Sequence, residues 1–523
     1  MSDTTMEPPR VHTGDPAAPA AGAAAPRRSP LRRYAWWLVA VAVVAISVVL
    51  VLVARTRPGY DPYGWLDWGY QTLRGTLDLG GAPSWKPFSY VFTLPFSLFG
   101  HYALWLWMFT SVSISLSGSV FGGRIAYRVV ARESDARWPP IVAAIVGGAC
   151  VLGIQDYFHY LLSNQSDSML VAVALAALDQ ALCGRYRWAY WLGILGSLGR
   201  PEFWPPVFLF TLWAWRERPE MRKELIGGPI VVAFLWFGVP TITNDRPNIA
   251  GQLALRSPRE CKSNKIVCTT SRFFDLDILP VQLAALASLL IAAVRRNWAV
   301  LGLWAVLVLW VLTEIGFALH GFPGVPRYLF EAAGLMGVLA GVGVGLLLAD
   351  ASRLWARLPR LAGVPVAAVL VAFMIPSAIS QARAEHKDIR HEQARTKEIN
   401  KLSAFLTALG GPKHVEACGR PVLNVEYVSI MGWYVHRNTG TIGYRPQVEV
   451  WDRRYPLVLF STFPNGWAVQ TVRTAPAMKA ACANLNAFYV PTARHPGGAL
   501  VPHAPLPLPP RPVKRAGQGS SGH

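Results

Sequence analysis

Charge is scarce in this chain. Only 15% of its 523 residues are Asp, Glu, Lys or Arg, against 52% hydrophobic, too few to clothe a soluble protein of this length. Internal repeats are missing too, which counts against the repeated halves common among transporters. Cysteine is sparse, six in all. Neither Cys261 with Cys268 nor Cys418 with Cys482 has the close Cys or His spacing that four-coordinate zinc prefers, so a zinc site is disfavoured. No cleavable signal peptide is expected, because the first hydrophobic block follows 33 polar residues and lacks a clear small-residue cleavage site, so it reads as a retained helix. Acidic residues are outnumbered 30 to 50, giving a formal charge of +20. In a soluble protein that excess would point to nucleic acid. Here the arginines lie in short segments between hydrophobic blocks, as cytoplasmic loops do, so no nucleic-acid partner is expected.

What is abundant is apolar sequence, in blocks of about 20 residues, the length a helix needs to cross hydrocarbon. The expected fold is an α-helical polytopic membrane protein with a small C-terminal external α/β domain. Residues 1–33, rich in Ala, Pro and Gly and ending in RRSPLRRY, read as a disordered cytoplasmic tail. With the N-terminus inside, the block 34–54 exits and a long first external loop follows at 55–87. The run 88–129 is divided by Pro95 and Gly100, and the short blocks 189–198 and 203–215 form a hairpin at Gly199-Arg200-Pro201-Glu202. About 11 segments result, with the C-terminus outside, and every strongly basic inter-helix loop falls on the cytoplasmic side. The transmembrane domain is expected over 34–378, an external α/β domain over 379–494 and a disordered Pro-rich tail over 495–523. The stretches PVLNVEYV, PLVLF, WAVQTVR and AFYV read as strands, and QARAEHKDIRHEQARTKEINKLSAFLTALGG as a helix stopped by glycines. The expected location is the cell membrane, multi-pass, with the C-terminal domain extracytoplasmic.

Cys261 and Cys268 share one external loop and Cys418 and Cys482 share the external domain. Two even pairs on the oxidising side make them disulfide candidates.

The unusual polar residues collect on one face. Asp61 and Asp67 lie in the first loop, within YDPYGWLDWG, and Lys86 closes it. Asp156, His159 and Asp167 flank the turn QDYFHYLLSNQSDS. Arg200 and Glu202 sit at the hairpin tip, and His320 and Arg327 border HGFPGVPR. Charge near hydrocarbon is expensive, so such a collection implies mutual pairing, a polar ligand, or both. Asp61 precedes Pro62 and could cap a helix, as could Asp167. Asp67 lies six residues after Asp61, roughly 120° around a helix, so the two cannot share one face. Asp61, Asp67, Asp156 and Asp167 also offer oxygen ligands for a divalent metal, Mg²⁺ or Mn²⁺, but scattered as they are they leave the metal requirement open.

A carboxylate beside several cations at a lipid-accessible rim suits glycosyl transfer from a polyprenyl-phosphate sugar: the carboxylate accepts the proton of the attacking hydroxyl while Arg or Lys stabilises the leaving phosphate. Over roughly residues 34–350, the order YDPYGWLDWG, SWKPFSYVFTLPFSLFG, SNQSDS, GRPEFWP and GVPRYLFE resembles the GT-C superfamily of polytopic glycosyltransferases. The resemblance implies a first-loop acidic base, here Asp61 or Asp67 with Asp61 preferred, and a polyprenyl-phosphate-linked donor. It also marks Arg200 and Arg327 as phosphate contacts and Asp167 as a second acidic position. A glycan or lipid of the envelope is the expected acceptor. No Asp-Asp or Glu-Asp pair occurs in the first loop. The Ala- and Arg-rich composition resembles that of high-GC actinobacteria, whose envelopes contain mannose and arabinose polymers, which makes mannosyl or arabinosyl transfer the expected specificity. Two rival functions remain open from sequence: a transporter or flippase, and a non-catalytic assembly protein whose Trp433, Trp451 and Trp467 stack on envelope polymer.

Overall fold

The structure, a computed structural model, describes residues 30–505 and 507, apart from 82, 256–258, 260, 263, 355–362, 452–456, 463–465, 473–481, 483–484 and 491–498. The tail expected over 1–33 lies outside them up to residue 29, and residues 30–33 already belong to the helix Pro30–Ala54. The protein is a multi-pass helical membrane protein. Among the described residues five helices are long and apolar enough to span a bilayer. A sixth is made by Lys265–Phe274 and Leu279–Arg295 if that pair, bent by 97°, is one span. That is fewer than the 11 segments expected. The physical reason is length: Trp138–Leu152 and Ser166–Leu182 have 15 and 17 residues, short of the roughly 20 needed to cross unaided.

One helix organises the rest. In the span Pro326–Ala349, 94% of the most apolar window is buried, against 11% to 39% for the other four. It packs against Trp138–Leu152, Ala103–Ala131, Leu279–Arg295 and Trp298–Leu319. Small residues make that possible: a Cβ on Gly343 would meet the Ala284 carbonyl oxygen at 1.9 Å, so the two backbones touch where a side chain would hold them apart. The other spans turn large apolar side chains outward, among them Trp36, Ile230, Phe234 and Leu312.

Proline and glycine place the breaks. The long run opens as Pro87–Phe96 with Pro95 inside it, passes through a 3₁₀ stretch at Ser97–Tyr102, and resumes as Ala103–Ala131. The chain turns at Gly100, whose φ of 58° favours glycine. The hairpin forms from Tyr186–Ser197, a 3₁₀ turn at Pro201–Phe203 and Trp204–Glu217.

The first loop contains a helix. Tyr60–Leu73 follows the first span almost directly and is buried along most of its length. Its N-cap is Gly59, and no side chain caps it. Asp61 therefore stands in the first turn instead of capping, because the helix starts one residue before it. Gly59 N–H donates to the Ser163 carbonyl at 2.8 Å, and this seats the start of the loop helix on the SNQSDS turn.

The C-terminal unit begins with a single helix, Gly363–Ala408, ended by Gly410 and Gly411 at φ 94° and 85°. A five-stranded sheet follows in the order β1 Pro421–Val422, β2 Leu457–Thr462, β3 Gly466–Thr471, β4 Asn486–Val490, β5 Ala499–Pro502. β1 pairs parallel to β2 and the other neighbours are antiparallel. Two expectations need correction. PVLNVEYV, residues 421–428, yields only the two residues of β1; Val425–Tyr427 is a 3₁₀ turn and Val428 opens the helix Val428–Val435. That helix is buried on nearly every side and is wedged against Tyr60–Leu73, and its start cuts the expected strand short. The tail expected from 495 contains β5, because Leu500 and Val501 pair with Tyr489 and Phe488. The remainder of that tail lies largely outside the described residues.

Both expected disulfides are present, Cys261–Cys268 and Cys418–Cys482. Among the described residues the one cluster whose donor atoms converge as a metal site would need is His414, Cys418 and Cys482, and its two sulfurs are bonded to each other.

Candidate functional site

The site is built where the first-loop helix, the SNQSDS turn, the hairpin tip and the GVPRYLFE turn meet. Asp61, in the first turn of Tyr60–Leu73, faces Arg327: Oδ2 and Nη1 are 3.8 Å apart, and the two side chains are 21% and 19% exposed. The pair is partly open, so a ligand has access to it. Lys86 closes the loop just ahead of Pro87. Its ammonium donates to Ser166 Oγ at 3.3 Å and lies 5.5 Å from the centre of the Trp65 ring. Burial pulls the Lys86 ammonium below its ordinary pKa, and Asp167 offsets part of that pull.

Behind this rim lies a buried network centred on Arg200, which is 3% exposed. Its guanidinium donates to Asp167 and to the Arg327 carbonyl, the latter at 3.2 Å. It lies 3.6 Å from Glu202 and 3.7 Å from Glu331, and its Cζ is 4.1 Å from the centre of the Tyr328 ring. Glu314, fully buried in Trp298–Leu319, completes the group beside Glu202. A buried arginine among carboxylates is costly to desolvate, and it persists only when its partners are fixed. The Arg200 network therefore sets the backbone at Arg327 as well as its own charge.

The remaining sequence candidates are elsewhere. Asp67 is 1% exposed, accepts from Gln71 Nε2 at 2.8 Å and leaves Oδ1 without a hydrogen-bond partner. It points toward the C-terminal unit, where a Cβ on Gly432 would come within 3.5 Å of it. Burial raises its carboxyl pKa to about 7. Asp156 and His159 turn to the helix Gly363–Ala408, where His159 Nδ1 meets Asp388 Oδ2 at 2.6 Å. His320 is exposed, and its ring Nδ1 lies 2.8 Å from the Gly316 carbonyl of its own helix. Asp61, Asp67, Asp156 and Asp167 thus have four different surroundings, and no three donor atoms of the rim converge on a point. They do not fit a preformed divalent-metal site.

Sequence reasoning missed Glu314 and Glu331. Both carried a signal: each is an acid inside or at the start of an apolar block, a placement that is rarely innocent in a membrane helix. An apolar cavity of about 250 Å³ begins at Glu331, Phe203 and Trp310 and extends between the helices to Tyr190 and Phe210.

Comparison with known proteins gives fold-level likenesses. No family model matches the chain, and no curated protein matches it. Among solved structures it is similar to ArnT from Cupriavidus metallidurans bound to undecaprenyl phosphate, with 15% identity and a TM-score of 0.49, covering 82% of this chain and 93% of that one. It is also similar to the archaeal oligosaccharyltransferase AglB from Archaeoglobus fulgidus in complex with an inhibitory peptide and a dolichol-phosphate, with 10% identity and a TM-score of 0.42, covering 83% of this chain and 70% of that one. At such identities and scores the chemistry rests on the residues themselves.

Those residues put a partly exposed carboxylate beside Arg327, with Lys86 on the neighbouring turn and an apolar cavity bordering the buried network at Glu331.

Proposed function

We propose that this protein is a GT-C-type membrane glycosyltransferase that moves a sugar from a polyprenyl-phosphate donor to an envelope glycan or lipid, mannosyl or arabinosyl in kind, on the extracytoplasmic face. The observation that carries the reading is the partly exposed Asp61–Arg327 pair, with Lys86 and the Arg200 network beside it. Asp61 accepts the proton of the acceptor hydroxyl as its oxygen bonds to the anomeric carbon. The bond from that carbon to the phosphate oxygen breaks, and its electron pair leaves with the phosphate, held by Arg327 and Lys86. Arg200 positions Asp167 and the Arg327 backbone. The apolar cavity next to Glu331 offers a seat for the donor's hydrocarbon tail. Sidedness follows from the basic loops, which belong in the cytoplasm.

The rivals lose ground on two observations. Glu314 stands five residues from the end of its helix and joins the rim network through Glu202, whereas transport would favour an isolated midplane site. Trp433 and Trp467 are 6% and 1% exposed and fill the C-terminal core, which leaves Trp451, half-buried, as the one of the three expected stacking residues with an accessible ring.

The test is sugar transfer by purified protein from a panel of labelled polyprenyl-phosphate sugars, comparing wild type with Asp61→Asn and Asp67→Asn. Turnover abolished by the first and spared by the second is expected. Folded wild-type protein that binds the lipid but turns over no donor would overturn the proposal.

A further inference from the structure

A second cavity, of about 880 Å³, lies between residues 377–391 of the helix Gly363–Ala408 and the elbow joining Lys265–Phe274 to Leu279–Arg295, with Gln155 and Asp156 closing a third side. The proposed transfer makes no use of it. Five carboxylates line it, from Asp156, Asp275, Asp277, Glu385 and Asp388, against Lys387 and His391. Asp388 is matched by His159. Among the described residues, none of the other four has a Lys, Arg or His nitrogen within 4.0 Å.

Asp277 is the telling member. It forms part of the cavity wall, is only 6% exposed, and its Oδ2 finds no hydrogen-bond partner. Oε2 of Glu385 is also unpartnered. Burial, with Asp156 and Asp388 nearby, pushes Glu385 up to about 7, as expected where negative charge is under-compensated. A buried carboxylate left without a partner is costly, and a positive group that supplies hydrogen bonds removes the cost.

A bare metal ion does not fit, because no three donor atoms of this cluster converge within 4.8 Å. The volume instead matches a small molecule or a lipid headgroup. Lys387 and His391 on the same wall could receive an anionic group of that ligand. We propose that this cleft binds an ammonium-bearing ligand of headgroup size, its cation held by Asp277 and Glu385.

The experiment uses the full chain in detergent micelles. Native mass spectrometry in an equimolar mixture of phosphatidylethanolamine and phosphatidylglycerol tests a lipid source. Calorimetric titration with glycerophosphoethanolamine, with glycerophosphoglycerol as control, tests a soluble one. Wild type should favour the amine in at least one arm, and Glu385→Gln should weaken that binding by about tenfold, with Asp277→Asn adding a similar factor. Retention of the amine lipid identifies the membrane as the source; binding of the soluble amine alone identifies solution. Glu385 is only half-buried, so Glu385→Gln should keep the wild-type melting temperature. Equal binding of amine and control by wild type, or amine binding unchanged in a well-folded Glu385→Gln, overturns the assignment. Sugar transfer enters neither arm, so this outcome is separable from that of the proposed function.

Discussion

Asp67→Asn separates the two first-loop aspartates without disturbing the rim. Burial drives the Asp67 carboxyl from the ordinary 3.8 to about 7, with the Gln71 hydrogen bond and Arg74 working against it. A displacement of that size is worth about 4 kcal/mol against the ionised form. Because folded Asp67 keeps its proton to higher pH than the unfolded chain does, the unfolded state binds fewer protons between about pH 4 and pH 7. Stability from this group is therefore full below pH 4, falls across that window and is flat above it. Asparagine cannot ionise, so the fall vanishes. The new amide still accepts from Gln71, but its NH₂ takes the place of Oδ1, which has no partner, at a cost of about 1–3 kcal/mol. The net expectation is a variant less stable than wild type at pH 4 and more stable by about 1–3 kcal/mol at pH 8. Melting curves of both proteins in the same detergent from pH 4 to pH 9 measure this, and the two curves should cross. Parallel curves, with the variant lower throughout, would refute the claim that Asp67 is a buried, proton-holding group.

Asp61→Asn should lower sugar transfer by about 10² to 10⁴ while leaving binding of the lipid-linked donor nearly intact, measured by turnover and by donor titration. Arg200→Leu should destabilise the fold by about 3–5 kcal/mol, read as a large drop in melting temperature, since Asp167, Glu202 and Glu331 lose their shared counter-ion. Cys418→Ser with Cys482→Ser opens a crosslink across 64 residues and should cost about 4 kcal/mol on the chain-entropy argument. Limited proteolysis of the C-terminal unit, faster in the variant, checks it.

Much of the architecture was legible because it depends on local chemistry. Apolar block length marked the spans, Gly100 marked the break, and Gly410 and Gly411 marked the end of the long helix. The first loop was harder. Its length announced a loop, while its helix is held by burial against Val428–Val435, a contact from more than 350 residues away that no local pattern encodes. The same holds for PVLNVEYV, residues 421–428, whose residues favour a strand while only Pro421–Val422 pair in the sheet. Within the site, Asp61, Lys86, Asp167, Arg200, Glu202 and Arg327 were visible as charges out of place near hydrocarbon, but their pairings were not. Asp167 looked like a second acid for catalysis and is the counter-ion of Arg200. Asp156 and His159 fell in the same turn as Asp167 yet face a different helix, because a short helix and a left-handed Asp156, φ 62°, turn them away.

Arg200 and Arg327 looked equivalent in sequence, and the geometry separates them. Arg200 is surrounded by three carboxylates within 4.0 Å, so its charge is already outnumbered and little of it remains for an incoming phosphate. Arg327 has one carboxylate within that distance among the described residues, Asp61 at 3.8 Å, and its Nε has no hydrogen-bond partner. A phosphate arriving at the rim would therefore pair with Arg327, and in doing so would draw the guanidinium away from Asp61 and leave that carboxylate freer to accept a proton. Donor binding and base activation are then coupled through one side chain. Arg327→Lys keeps the charge but loses the planar fork that serves two anions at once, so it should reduce turnover at saturating donor by more than tenfold while changing the melting temperature little. Arg200→Lys should do the reverse, lowering the melting temperature first. If both variants lost stability alike and neither changed turnover per folded molecule, the division of labour between the two arginines would be wrong.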